Sequence, residues 1–286
     1  MRILFVADIH AHHDHLAQSI EKTIEHDVDA LIIGGDIVPH ELPNAHALGL
    51  LDAQAMYIEG TLIPAFKRLK AAKAVSIYFD FGNDDFMANR PLLEPYQGDL
   101  FHLLHLQKYA IADGVDLIGY MMVPPTPFQR KDWEKPDASD VPYPSSSRVR
   151  LKGYATGSGQ IEEVVLDLDE DPTIEEDLDR LEGTIQRPFI FVAHCPPHDT
   201  PLDMLSSGSH VGSISIRRFI EKWSRRNLLI ASLHGHIHES PRVSGTTHTR
   251  INDALAVNPG QDVELQFALM ELARQKGGAA IRLLDP

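Results

Sequence analysis

One cysteine, Cys195, stands in 286 residues. That scarcity excludes an internal disulfide framework and a thiolate zinc finger, and it suits a reducing cytoplasm. Long apolar runs are missing too. None approaches the length of a membrane span, and the first run, Ile3 to Ala7, is too short for a signal peptide and ends on Asp8. Positive charge is scarce: 26 Lys and Arg face 41 Asp and Glu, a formal net charge of −15. Such a field repels polyanions, so a broad nucleic-acid footprint is not expected. These absences point to a soluble cytoplasmic protein with no membrane partner.

The chain reads as alternating strands and helices. Ile3-Leu-Phe-Val-Ala7 is a continuous apolar run, the mark of a strand buried on both faces. Helical spacing follows over 14–26, then a second buried strand, Ala30-Leu-Ile-Ile33. Residues 46–71 form a long helical pattern with a break expected near Gly60 or Pro64. Val75 to Phe79 is a third strand. Lys108 to Met122 reads as a hairpin turning at Asp113-Gly114. Residues 124–160 form a Pro- and Ser-rich excursion inserted in a single domain, of the kind that often makes lids. Thr173 and Glu176 predict a capping box for a short, solvated helix. The core resumes with a strand at 189–193, a helix at about 213–225 and a strand at 228–233. Four tail strands, near 242–246, 254–257, 263–270 and 279–284, have no helices between them and so predict antiparallel pairing.

Histidine is abundant, with sixteen, and some of it follows strand ends. Asp8 and His10 follow the first strand, Gly35-Asp36 the second, and Gly82-Asn83-Asp84-Asp85 the third. His194 follows the strand at 189–193, and Gly235-His236-Ile237-His238 the strand at 228–233. Open α/β sheets bind ligands beyond the carboxyl ends of their strands. In extended geometry residues i and i+2 point the same way, so Asp8 and His10 can face one ion, and His236 and His238 likewise. Imidazole, carboxylate and carboxamide together suit manganese, iron or zinc, with manganese the working choice in vitro, and do not suit calcium. One carboxylate, Asp36, can bridge two divalent ions, which then lie roughly 3.5–4 Å apart and clamp phosphoryl oxygens. Two such cations make the site locally positive, which admits a small phosphate-bearing substrate.

These motifs, in this order over residues 8–238, resemble the calcineurin-like metallophosphoesterase superfamily, and Asn258-Pro259-Gly260 adds to the likeness. The resemblance implies an α/β fold in a four-layer α/β/β/α sandwich. It implies Asp8, His10, Asp36 and His238 on one metal and Asp36, Asn83, His194 and His236 on the other. It also implies a metal-bridging hydroxide that attacks phosphorus in line.

The chain departs from the family where relatives that use acid catalysis carry Gly-Asn-His: here Asp84 replaces the histidine. A carboxylate beside a developing oxyanion hinders, and loss of a general acid costs on the order of 10²–10⁴ in rate. Three readings follow: good leaving groups only, a substitute histidine with His198 and His210 the candidates, or vestigial activity. A subset of the family lacks this histidine and resembles this chain in His194-Cys-Pro-Pro197, Leu202-Asp203 and Gly212-Ser213 with Arg217. Those relatives look like phosphodiesterases. The expectation is therefore a metal-dependent phosphodiesterase of a small phosphorylated or nucleotide substrate, with a catalytically weakened scaffold as the alternative and a nuclease disfavoured by charge.

The remaining polar residues have plainer readings. His12, His13 and His15 read as solvated or capping, His40 as a loop residue and His234 as packed. Asp85 reads as a helix-starting carboxylate. Trp133 reads as an anchor for the excursion, and Cys195 as packed, not nucleophilic.

Overall fold

The computed structural model describes residues 1–41, 47–140, 149–275 and 278–285. The chain opens with β1 (Arg2–Val6), α1 (His13–Glu25), β2 (Ala30–Ile33), α2 (Ala47–Tyr57), α3 (Ile63–Ala72) and β3 (Ser76–Phe79). Strands β4 (His102–Leu103), β5 (Lys108–Ala112), β6 (Val115–Tyr120), β7 (Lys152–Ala155) and β8 (Glu162–Val165) lead to α4 (Ile174–Glu182). Then come β9 (Phe189–Ala193), α5 (Ile214–Arg225), β10 (Leu229–Leu233), α6 (Ser240–Ser244), β11 (His248–Ile251), β12 (Ala254–Val257), β13 (Ala268–Gln275) and β14 (Gly278–Leu284).

Two mixed six-stranded sheets face each other, in the orders β14-β13-β1-β2-β3-β4 and β11-β12-β10-β9-β6-β5. Side-chain alternation along each strand builds the layers. Ile190 and Val192 of β9 and Leu255 and Val257 of β12 join β1, β2 and β3 in one buried cluster between the sheets. Their neighbours Phe189, Phe191, Ala193, Ala254 and Ala256 point the other way and pack on α5, through Ile216, Phe219, Ile220 and Trp223, and on α4, through Ile174 and Leu178. Leu16 of α1 and Phe66 and Leu69 of α3 complete the first cluster. This is the expected pair of mixed sheets flanked by helices.

Register sets the site. Val6 pairs with Ile33 and Ile33 with Phe79, so β1, β2 and β3 end level with one another. In the second sheet Val192 pairs with Leu233 and Leu233 with Val257, so β9, β10 and β12 also end level. The six following loops therefore leave at one end of the sandwich.

Of the local expectations, the break near Gly60 and the cap of α4 hold and several others are corrected. The break in the long helical pattern is a π-helical turn, Ile58–Leu62, containing Gly60; residue 46, the pattern's first, lies outside the described residues. The strand expected near 242–246 is instead α6, with Pro241 in its first turn and Gly245 left-handed at its end, φ 79°. That pairing is a helix start and stop signal. The tail is not all antiparallel, because β12 runs parallel to β10. β13 begins at Ala268 and not near 263, because the Gln261 side chain folds the preceding loop by bonding Ala7 O, Gln266 N and Gln266 O. Helix α4 has its expected cap, Thr173 accepting from Glu176 N at 3.1 Å. It is only half solvated, since Ile174, Leu178 and Leu181 are buried.

The 124–160 excursion contributes β7, which pairs antiparallel with β8; its Pro-Tyr-Pro-Ser-Ser-Ser stretch lies outside the described residues. Trp133 anchors it, fully buried, with its indole N–H on Asp85 O at 2.9 Å and its ring edge-on to Phe81 and His105. Asp137 reaches the first turn of α5, accepting from Ser213 Oγ and Ile214 N at 2.6 Å each.

Phe191 is fully buried with its ring centroid 4.8 Å from that of Phe219. Phe191→Ala is expected to lower unfolding free energy by about 3–5 kcal/mol. Denaturant titration reads this, and a loss below about 1 kcal/mol would show that the sheet–α5 layer is not tightly packed.

Candidate metal centre

The loops after the level strand ends are zipped together before any side chain is considered. Asp8 N donates to Gly35 O at 3.1 Å, His10 N to Asp36 O at 2.8 Å, and Gly235 N to His194 O at 2.9 Å. Between the sheets, His236 N donates to both Asp8 carboxylate oxygens, at 2.9 and 3.0 Å.

The turns are tight. Asp8, His10, Asp36 and His236 all have left-handed backbone, with φ of 56°, 48°, 52° and 66°. Such conformations cost of order 1–3 kcal/mol for a non-glycine residue and concentrate at functional sites. Asp and His tolerate them better than most. The extended i, i+2 geometry expected for Asp8 and His10 is therefore not what aims them. A sharp turn at each residue does so, with Ile9 buried between them. Glycines allow the close approach. A Cβ on Gly82 would stand 2.3 Å from Asp36 Oδ1 and 2.7 Å from His194 Nε2, and one on Gly235 would stand 2.7 Å from Asp8 Oδ2.

Two donor groups result, and they share one residue. Ligand atoms of Asp8, His10, Asp36 and His238 lie within 4.8 Å of one another, and so do those of Asp36, His194 and His236. Asn83 joins the second group with Oδ1 3.0 Å from His194 Nε2. His194 Nδ1 lies 2.7 Å from Gly34 O, an acceptor only, so Nδ1 carries a proton. That leaves Nε2 aimed at Asn83 and at Asp36 Oδ2, 3.3 Å away. A backbone carbonyl behind the ring, setting the tautomer, is the usual device for a ligating imidazole. His10 Nε2 and His238 Nε2 face each other at 3.1 Å.

Burial disfavours the charged form of every group, and the neighbours decide the balance. For His194 desolvation is the largest single effect, but the charge and hydrogen bond of Asp36, the Asp8 charge and the Gly34 carbonyl together outweigh it and raise the pKa to about 9. For His238 the charge and hydrogen bond of Asp8 with the Asp36 and Asp84 charges likewise outweigh desolvation, also to about 9. At His236 desolvation prevails, with the His194 charge adding to it, and the pKa falls to about 3. Asp36 is desolvated, yet the His194 charge and hydrogen bond hold its carboxyl well below the ordinary range. Two buried carboxylates thus demand positive charge, which imidazolium protons supply when no cation does. Nitrogen and oxygen donors around paired buried carboxylates fit divalent first-row ions.

The other sequence candidates fall in different places. Asp84 N donates to Asp36 Oδ1 at 2.8 Å. Its carboxylate borders the cluster, with Oδ2 3.9 Å from His10 Nδ1, and pairs with Arg130, whose Nε donates to Asp84 Oδ1 at 3.1 Å and whose Nη2 donates to the same oxygen. His198 and His210 flank the buried Asp203, at 3.6 and 2.7 Å. Among the described residues no hydrogen bond or ion pair joins either histidine to a candidate ligand. Asp85 starts no α-helix. It is a buried carboxylate accepting from Ile37 N, Val38 N and Gly82 N at 2.9–3.1 Å, which clamps the Asp36 loop to the Asn83 loop. His40, on the loop after Asp36, packs on the site, its ring centroid 4.2 Å from that of His10. His15 is buried, not solvated, and bonds Val263 O. His234 is packed as expected, between Ala193 O, Cys195 O and Ser232 Oγ. Burial pushes the Cys195 thiol well up, which keeps it inert. Asn258 secures the site from behind: its amide lies within 3.3 Å of Leu202 O, Gly235 O and Ile237 O. Sequence reasoning missed Arg130, whose local stretch, Gln-Arg-Lys-Asp, carries no motif.

A pair of level sheets with this cluster at their ends suits a metal-dependent phosphoesterase, and the chain belongs to the calcineurin-like phosphoesterase family, whose model matches residues 1–240. No curated protein sequence matches the chain. Among solved structures it is similar to a dimetal phosphatase from Danio rerio, at 12% identity and TM-score 0.57, covering 94% of this chain and 92% of that one. It is also similar to the protein TT1561 of Thermus thermophilus, at 15% identity and TM-score 0.52, with the same 94% and 92% coverage. A third is GAP50, the anchor in the inner membrane complex of Plasmodium, at 13% identity and TM-score 0.50, covering 99% of this chain and 84% of that one. At these identities the likeness is one of fold. No helix among the described residues is long and apolar enough to cross a membrane.

Gly82→Ala is expected to force Asp36 and His194 apart and to lower bound metal per chain at least tenfold at equal total metal, with the far-ultraviolet circular dichroism kept. Unchanged metal content would mean that the loops have room the geometry denies them.

Proposed function

We propose that the protein is a phosphodiesterase that uses two divalent ions and acts on a small phosphorylated or nucleotide substrate. The observation that carries this reading is the sharing of Asp36 between two convergent donor groups. Asp8, His10, Asp36 and His238 would hold one ion, and Asp36, Asn83, His194 and His236 the other, with manganese, iron or zinc the fitting metals. Bound ions of this kind lower the pKa of water toward neutrality and stabilise phosphoryl oxygens. The chain's own part is positioning. Gly34 O orients His194, Asp85 clamps the two loops and Asn258 braces the loop of His236 and His238. Asp84 no longer counts as a bare anion in the cleft, because Arg130 neutralises it. His198 and His210, both held by Asp203, are the candidate imidazoles for protonating a leaving group. The 124–160 excursion sets specificity, as loops on rigid scaffolds often do.

The dimetal phosphatase of like fold supports the dinuclear reading. The Plasmodium anchor supports the alternative, a catalytically weakened metal-binding scaffold. Metal analysis beside a hydrolysis assay separates them. Wild type is expected to hold near two first-row ions and to cleave bis(p-nitrophenyl) phosphate with manganese. Asp36→Asn is expected to lose most of both, with kcat/KM falling more than about a hundredfold. Full metal content with no hydrolysis of aryl diesters or nucleotides would move the scaffold reading to the front.

Metal loading has a proton signature. His194 and His238 hold protons up to about pH 9 in the metal-free site and must lose those on their ligating nitrogens to bind an ion. At pH 7.5 loading is expected to release close to two protons per chain, so apparent affinity rises with pH and flattens above about 9. Calorimetry in two buffers of different ionisation enthalpy measures the release, and zero release would mean that these imidazoles are already neutral in the metal-free site.

A further inference from the structure

The excursion delivers one cation to the edge of the metal cluster. Arg130 is 13% exposed at its side chain, as is Asp84. Its guanidinium directs one N–H from each of its three nitrogens into the protein. Nε and Nη2 donate to Asp84 Oδ1, and Nη1 donates to His40 O at 2.9 Å. With these partners among the described residues, two of the five N–H groups remain, one on each terminal nitrogen. The far oxygen of Asp84 lies 3.9 Å from His10 Nδ1, so a single carboxylate separates the guanidinium from a candidate ligand.

The arginine is also held still. Lys131 N donates to Tyr154 O at 2.9 Å and Tyr154 N to Gln129 O at 2.8 Å, so β7 grips the backbone on both sides of residue 130. Gly153 sits so close that a Cβ there would stand 2.1 Å from Gln129 O. Three residues on, Trp133 fixes the loop to Asp85 O, in the same motif as Asn83 and Asp84. A rigid guanidinium with donors to offer, beside a metal site in a protein of net charge −15, has the chemistry of an anion anchor.

We infer that Arg130 binds the phosphoryl oxygens of the substrate and determines specificity, with Asp84 the positioning residue that aims it. This rests on the phosphoesterase reading above. A guanidinium prefers a phosphate dianion or diester oxygens to a neutral group, so a phosphate ester, not a carboxylic ester or amide, is the substrate class it selects.

Arg130→Ala, Arg130→Lys and the double variant Arg130→Ala/Asp84→Ala test the inference. Metal per chain, the thermal unfolding midpoint, kcat and KM for bis(p-nitrophenyl) phosphate, and calorimetric binding of inorganic phosphate to the manganese-loaded protein are measured. Arg130→Ala is expected to keep its metal while KM and the phosphate Kd rise about tenfold to a hundredfold. Arg130→Lys is expected to recover part of the loss. The double variant is expected to stay weak, because a direct contact is gone. If it instead returns to within about twofold of wild type, Arg130 is only the counter-ion of Asp84, and the inference is overturned. It is overturned alone if wild type hydrolyses the ester and Arg130→Ala matches it in KM and phosphate affinity. A wild type that loads metal but neither binds phosphate nor hydrolyses esters overturns both this inference and the phosphoesterase reading. Arg130→Lys and the double variant keep the test alive should the single alanine fail to fold.

Discussion

Asp36 sits where two constraints meet. Its carboxylate belongs to both donor groups, and it is buried between sheets that must approach closely to share it. A buried carboxylate is costly unless positive charge compensates it. Around Asp36 the positive charge comes from His194 at 3.3 Å, with the Asp84 amide on its other oxygen at 2.8 Å. Cations serve the same need with more charge in less space. The glycines at 82 and 235, the left-handed turns and the clamp at Asp85 all follow from bringing backbones close enough for one side chain to reach both groups.

The two sheets contribute unequally but symmetrically in form. The first supplies Asp8, Asp36 and Asn83 from three neighbouring strand ends, and the second supplies His194 and His236 from two, with Asn258 from a third as a brace. Parallel pairing with level registers is what places them side by side. The core behind them, divided by strand alternation into an inter-sheet cluster and an outer cluster under α4 and α5, gives the rigidity that strained loops require.

The excursion changes how Asp84 is understood. Alone, an anion at that position opposes an anionic substrate. With Arg130 paired to it the local charge is near zero, and the arginine keeps donors to offer. Pair and metal cluster meet at His10, which carries Asp84 on one ring nitrogen's side and His238 on the other's.

Much of this was legible in the chain itself. Strands β1, β2, β3, β9 and β10 announce themselves as short apolar runs, and the carboxylates, amide and imidazoles at their ends follow directly, because strand ends in α/β sheets are where ligands gather. The α6 signal, Pro241 and Gly245, was present but lost to a weak apolar alternation. The reason Asp8 and His10 converge was not legible, since left-handed turns at non-glycine residues leave no pattern in sequence. Nor was Arg130, which meets Asp84 across 46 residues, or the clamp that Asp85 makes on the loop after β2. Order and residue type were written locally, by period and by strand end. Which side chains share a proton, a charge or an ion was decided only when distant loops were brought together, because those interactions act through space and not along the chain.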